Sequence, residues 1–244
     1  MAASRANASR AEVLERGRIY FFYRPKVDRR QAGSLDDVAR FYAVTHAQRK
    51  RKYRLIVIGE KRLPGLARNT DRKTWGFVER VATRAELIED ELDPETYATK
   101  TRGVRQVPAA QPVGEGVYAI VRHGDHTHLA YALQLPPEPG EVQRAFNVRQ
   151  QASFVLSVKN PDAPSPPGLG LDRARRAKYP GKLRELFGER RFIDADPPEL
   201  LDYEGAEILL VGATADIGRE LGLELPARRS GEARTGIVTP PLPR

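Results

Sequence analysis

The chain has no cysteine, a single Met and a single Trp. Without a thiol there can be no disulfide, no Cys nucleophile, no iron–sulfur cluster and no Cys-containing zinc centre, so a bound metal would have to be held by His, Asp or Glu. Histidine is itself scarce, with four in 244 residues. Long apolar runs are missing too: none approaches the roughly 18–20 residues that a membrane-spanning helix needs. The opening MAASRANASRAEVLERGR lacks the apolar stretch of a signal peptide. A soluble, cytoplasmic protein with no membrane partner is therefore expected. There is also no Walker A loop, no GxSxG elbow and no HExxH pair, which removes the simplest signatures of nucleotide hydrolysis, esterase and zinc-protease chemistry.

What the sequence does contain is an uneven distribution of charge. The net formal charge is +9. Residues 1–80 hold 20 Lys/Arg against 8 Asp/Glu, and residues 81–244 hold 21 against 24, so the whole positive excess lies in the first third. Its densest point is HAQRKRKYR, with Arg49, Lys50, Arg51, Lys52 and Arg54 in six positions. Such a cluster raises the local concentration of polyanions and can neutralise phosphates. The plainer reading, and the preferred one, is a solvated loop between a helix and a strand.

Seven short runs read as strands: 18–23, 53–59, 74–81, 116–123, 127–135, 152–158 and 206–211. Several, such as RIYFFY and RLIVIG, are continuously apolar and should be covered on both faces. Helical signals fall between them. SLDD (Ser34–Asp37) has the form of a capping box ahead of Leu35, Val38, Phe41 and Tyr42 on one stripe, and TRAE (Thr83–Glu86) repeats the device before Leu87, Ile88 and Leu92. A third helix is expected from about Pro180 to Gly188. The Pro- and Gly-rich PDAPSPPGLG (161–170) reads as a strap laid over the surface of one domain, since the strand-like ILLVG after it needs a sheet to join. These elements predict a mostly antiparallel α+β fold with a strongly curved or barrel-like sheet and a few flanking helices. One domain is expected over 17–225, between poorly ordered tails at 1–16 and 226–244.

The runs GRIYFFYRPKV, SLDDVARFYAV, YRLIVIGEKRLP, WGFVERV, GEGVYAIVRHGDHTHLAYALQLP, SVKNP and PPELLDYEGAEILLVGA resemble a family of uncharacterised prokaryotic proteins, over most of residues 17–225. The resemblance implies a self-contained prokaryotic protein and carries no activity with it, so function has to be read from the residues.

HGDHTH is the most specific feature. With Gly124-Asp125 as a two-residue hairpin turn, His123 and His126 face each other and His128 projects from the same side. Three imidazoles at one tip can hold a divalent ion such as Zn²⁺ with a position left for water, Asp125 adding an oxygen or orienting a ring. They can also serve as general acid and base without a metal, or simply meet solvent and backbone carbonyls. The order HxDHxH departs from the HxHxDH of metallo-β-lactamase-like hydrolases, no His follows His128, and the Glu that follows HxH in cupins is absent. A second constellation is cationic: Arg24 and Lys26 follow one strand, Lys61 and Arg62 another, and adjacent strand ends would gather all four at a rim facing an anion. GATADIG (212–218) resembles the glycine-rich turn of short-chain dehydrogenases. Ala215 replaces the central glycine, and only 26 residues follow Gly218, so it reads as a strand, a turn and a short closing helix without a nucleotide.

Two functional expectations follow. The first is binding of a polyanion, nucleic acid or a phosphorylated ligand, through the basic first third, with Arg24, Lys26, Arg49, Lys50, Arg51, Lys52, Lys61 and Arg62 as ligand-binding residues. The second is hydrolysis of a phosphorylated or nucleic-acid substrate by His123, Asp125, His126 and His128, with or without a divalent ion on the three histidines.

Overall fold

A computed structural model describes residues 11–66, 73–101, 103–166 and 168–226. Eight strands close into an antiparallel barrel: β1 (Glu12–Pro25), β2 (Val38–Ala47), β3 (Lys52–Ile58), β4 (Lys73–Ala82), β7 (Gln111–His123), β8 (His126–Leu135), β9 (Gln151–Lys159) and β11 (Glu207–Thr214). Their order around the wall is β9-β11-β4-β3-β2-β1-β7-β8, and β8 pairs with β9 to shut the ring. Closure removes the free edges that a sheet otherwise exposes. Beyond the end of β8, the short β10 (Phe192–Asp194) continues along the same edge of β9. A separate ribbon of β5 (Glu95–Thr99) and β6 (Gly103–Val107) stands beside the barrel. No helix among the described residues is long and apolar enough to cross a membrane.

Strand alternation explains the continuous apolar runs. Ile19 and Phe21 of β1, Phe41 and Ala43 of β2, Ile56 and Ile58 of β3, Tyr131 of β8 and Phe154 of β9 fill the barrel interior. Tyr20, Phe22, Tyr42, Val44, Leu55 and Val57 point outward and are covered by Ile88 and Leu92 of α1 (Glu86–Leu92). On the opposite wall, Ala119, Val121 and Ala130 lie under Ile217 and Leu221 of α4 (Ile217–Leu221). Both faces of these strands are therefore buried, as an uninterrupted apolar pattern requires.

All seven expected strands are present, several of them longer than the sequence pattern suggests. The region after SLDD differs: only a single 3-10 turn, Leu35–Asp37, precedes β2, and the expected helix is a strand. Leu35, Val38, Phe41 and Tyr42 have helical spacing, but Phe41 and Tyr42 pack on opposite sides of the wall, and a segment buried on both faces has no period that separates the two forms. The TRAE helix forms as α1. The third helix is a short α3 (Gly181–Glu185), with Gly188 in the left-handed region beyond it. The expected N-terminal tail overlaps β1, since Glu12–Arg16 pair with β7; residues 1–10 and 227–244 lie outside the described residues. GATADIG forms the end of β11, a turn and α4.

The strap over 161–177 is pinned from beneath. Lys159 Nζ, at the end of β9, donates to Glu207 at 3.0 Å and to the Ala163 carbonyl at 2.8 Å, and Glu207 accepts from the Leu171 N–H at 2.9 Å. Arg176 donates to the carbonyls of Leu171 and Pro161.

Candidate functional site

The antiparallel wall gives the barrel two ends, and the residues singled out by the sequence are divided between them. One end carries the β2–β3 turn (48–51) and the β7–β8 turn (124–125), and is termed the hairpin end. The other, the loop end, is crossed by the segments that follow β1, β3 and β8.

At the hairpin end the basic run is largely neutralised. Lys52 Nζ donates to Asp202 at 2.9 Å, and Lys50 lies 3.6 Å from Glu199. Arg54 is 0% exposed inside the barrel mouth. It donates two parallel hydrogen bonds to Glu15, at 2.6 and 2.9 Å, and a further one through Nε to Asp202 at 2.8 Å. Burial opposes its charge, but the bonds and attraction to Glu15 outweigh that cost and its pKa is raised. Tyr118 donates to the same Glu15 at 2.7 Å, and its hydroxyl is held well above the ordinary tyrosine pKa by burial and then by that carboxylate. The 3-10 turn Pro198–Leu201, with Leu200 and Leu201 in the core, brings Glu199 and Asp202 to this mouth. Of the expected ligand-binding cations in the turn, Arg49 and Arg51 are exposed without an ion pair among the described residues.

The histidine hairpin has the expected register. His123 pairs with His126 across Gly124-Asp125, and Gly124 takes φ 59°, a value glycine adopts without a Cβ clash. The rings of His123 and His128 approach to 6.1 Å. His128 is 5% exposed, and its Nδ1 is buried without a hydrogen-bond partner. Burial first, then His123 and His126, push its pKa down to about 4, with Asp194 acting in the opposite sense. Asp125 and His126 instead border a cavity of about 340 Å³, together with Arg122, Arg190, Asp194 and Asp196. Arg122 is held by Glu12 and Asp196, each at 2.5 Å, and Asp194 accepts from the Thr127 N–H at 3.1 Å. The three histidines stay neighbours on one face of the hairpin: His123 is half-buried beside the buried His128, and His126, exposed next to Asp125 on the cavity wall, still lies close enough to bear on His128. Among the described residues no group of three or more His, Asp or Glu is disposed to hold one metal ion.

At the loop end, Arg24 does not face an anion. It is 6% exposed, and its guanidinium donates to the carbonyls of Glu91, Asp93 and Pro108, capping the C-terminus of α1. The expected four-cation rim does not form: β2 lies between β1 and β3, so the two strand ends are not adjacent, and Arg24 is spent on backbone carbonyls that would otherwise be unsatisfied. Two further cations stand here, Arg144 and Arg149, which no local pattern marks because they follow β8 outside the basic third. α2 (Glu141–Ala145) and the chain after it plug this end, with Phe146 stacked on Phe41 at 4.8 Å and on Tyr23 at 5.2 Å. Asn147 donates to the Leu63 carbonyl at 2.7 Å and Leu63 N–H to the Phe146 carbonyl at 3.0 Å, tying the Lys61–Arg62 loop to the plug. Beside the plug lies a cavity of about 630 Å³ lined by Arg144, Asn147, Arg149, Gln150 and Gln151, with no carboxylate in its wall.

The cations of residues 24–62 and the histidine hairpin do not border one cavity. No known protein family matches the sequence, nor does any curated protein or any solved structure.

Proposed function

We propose that the protein binds a polyanion, nucleic acid or a phosphorylated ligand, and that the loop end of the barrel is its contact surface. The carrying observation is the carboxylate-free cavity of Arg144 and Arg149, next to a loop whose Lys61 and Arg62 have no ion pair among the described residues. Asn147, Gln150 and Gln151 add neutral hydrogen-bond capacity to the same wall. Cations left without carboxylates keep their full charge for a ligand, whereas Lys50, Lys52 and Arg54 of the hairpin end are paired with carboxylates.

The test is elution from immobilised heparin and from an immobilised mixed-sequence oligonucleotide on a rising salt gradient. Wild type is expected to be retained at low salt. The combined variant Lys61→Ala, Arg62→Ala, Arg144→Ala, Arg149→Ala is expected to elute earlier and to lower the slope of log affinity against log salt by about three. Coincident elution of wild type and variant from both supports would remove the loop end as the contact surface.

A second reading is favoured by one observation: Asp125, His126, Asp194 and Asp196 share the 340 Å³ cavity with Arg122 and Arg190. In a phosphodiester hydrolase, Arg190 would hold the phosphate, Asp194 would orient the attacking water and His126 would take its proton; as the new P–O bond forms the P–O bond to the alcohol breaks, and the proton on His126 passes to the departing alkoxide. Turnover of a chromogenic phosphodiester that disappears in His126→Ala supports this reading; an equal rate in wild type and variant dismisses it.

A further inference from the structure

The one Trp of the chain stands in an unusual place. Along β4, Thr74, Gly76 and Val78 are buried, while Lys73, Trp75 and Phe77 alternate onto the outer face near the loop end. Trp75 is half-buried and makes a T-shaped contact with Phe192 at 5.6 Å. With Phe77 it borders a cavity of about 590 Å³, whose other walls are Gly59, Glu60 and Lys73 on one side and Gly168, Leu169 and Gly170 of the strap on the other.

Two glycines of the trough are required by the close approach of neighbouring atoms. Gly170 sits at φ 83°, and a Cβ there would come within 2.4 Å of Glu207 Oε1 and Ser165 Oγ. A Cβ on Gly59 would come within 2.9 Å of the Trp75 carbonyl. Leu169, 47% exposed, is one of the few large apolar side chains left in water, and it stands at the rim. Phe77 leans on the outer cluster covered by α1, while Trp75 and the exposed Leu169 leave apolar faces beside the trough. They suit a flat apolar ring that arrives from outside.

We propose that this trough is a nucleobase site: a base of a single-stranded nucleic acid stacks in it against Trp75, and its phosphate meets Lys73. The assignment rests on the polyanion reading above and names nucleic acid, through its bases, as the ligand. Lys61 and Arg62 follow Glu60 directly in the chain, so two further cations are joined to a residue that lines the trough. An aromatic platform with basic neighbours is how single strands are held without a sequence code.

The sole Trp makes the site report on itself. The full-length protein is titrated with a short mixed-sequence single-stranded oligonucleotide and, separately, with heparin, a polyanion without bases, while Trp emission is followed. The oligonucleotide is expected to quench the emission, whereas heparin should bind and leave it unchanged. Trp75→Ala should weaken oligonucleotide binding, read by anisotropy of a labelled strand, by about fivefold or more and leave heparin binding as it was. Trp75→Phe should retain most of the affinity. Leu169→Ser, at an exposed position, should weaken the oligonucleotide alone. Oligonucleotide binding without any change in Trp emission, or with equal affinity in Trp75→Ala, overturns the base site and leaves the polyanion reading standing. Loss of binding to both ligands in the wild type overturns both.

Discussion

The two ends of the barrel use the same residue types in opposite ways. At the hairpin end, Lys50, Lys52 and Arg54 meet Glu199, Asp202 and Glu15, and the guanidinium of Arg54 is sealed inside the mouth. At the loop end, Lys61, Arg62 and Arg149 have no carboxylate partner among the described residues, and the cavity beside Arg149 has no acid in its wall. At Arg54 the charge serves the fold, because removing it strands Glu15 and Asp202 in a low-dielectric interior. The loop-end charges cost the fold little and remain open to a ligand. Charge density in the sequence is highest where Lys50, Lys52 and Arg54 are held by carboxylates and only Arg49 and Arg51 stay open, so a basic run alone is a poor guide to a polyanion site.

The comparison can be broken first at Arg54. Arg54→Ala should cost about 3–5 kcal/mol in urea denaturation, because Glu15 and Asp202 lose a buried partner, while Arg149→Ala at the exposed loop end should stay within about 0.5 kcal/mol. Similar losses at the two positions would mean that the ends are not energetically distinct.

The next effect is one of pH. His128 has a folded pKa of about 4 against an ordinary value of 6.5, so the unfolded chain takes up its proton first as the solution is acidified. Stability from this residue is complete above about pH 6.5, falls between 6.5 and 4, and levels off below, for a total of about 3 kcal/mol. His46, whose pKa is lowered by burial and by Arg18, acts in the same direction. Thermal melts of His128→Leu across this range should show a shallower loss than wild type; an unchanged acid limb would mean that His128 is not the group being titrated.

A finer contrast concerns salt. Replacing Arg49, Lys50, Arg51 and Lys52 by Ala removes only two cations that are free of carboxylates, so the slope of heparin affinity against salt should fall by at most about two. A larger drop than that of the loop-end variant would move the contact surface to the hairpin end. The smallest effect is expected for Lys50→Ala alone, whose exposed pair with Glu199 should be worth less than about 1 kcal/mol in a melt.

Much of the wall was legible in the sequence. RIYFFY, RLIVIG and ILLVG announce strands buried on both faces, and Gly124-Asp125 between two such runs sets the hairpin register that places His123 opposite His126. These are local signals, carried by residues within one or two turns of each other. The segment carrying Leu35, Val38, Phe41 and Tyr42 has a spacing that predicts a helix, because apolar residues on both faces suit either form. Only its two neighbours in the wall, β1 and β3, make it a strand.

The candidate sites were legible only in part, and the reason is distance along the chain. From the sequence alone, the hairpin turn, the strand set and the concentration of positive charge in the first third follow from spacing and composition. Which cations are free does not. Arg24 is consumed by carbonyls at 91, 93 and 108, Arg54 by carboxylates at 15 and 202, and Arg144 and Arg149 join the loop end from beyond β8. The availability of a charge is set by what closure of the barrel brings against it, and in this chain those partners lie tens of residues away, beyond the reach of any local pattern.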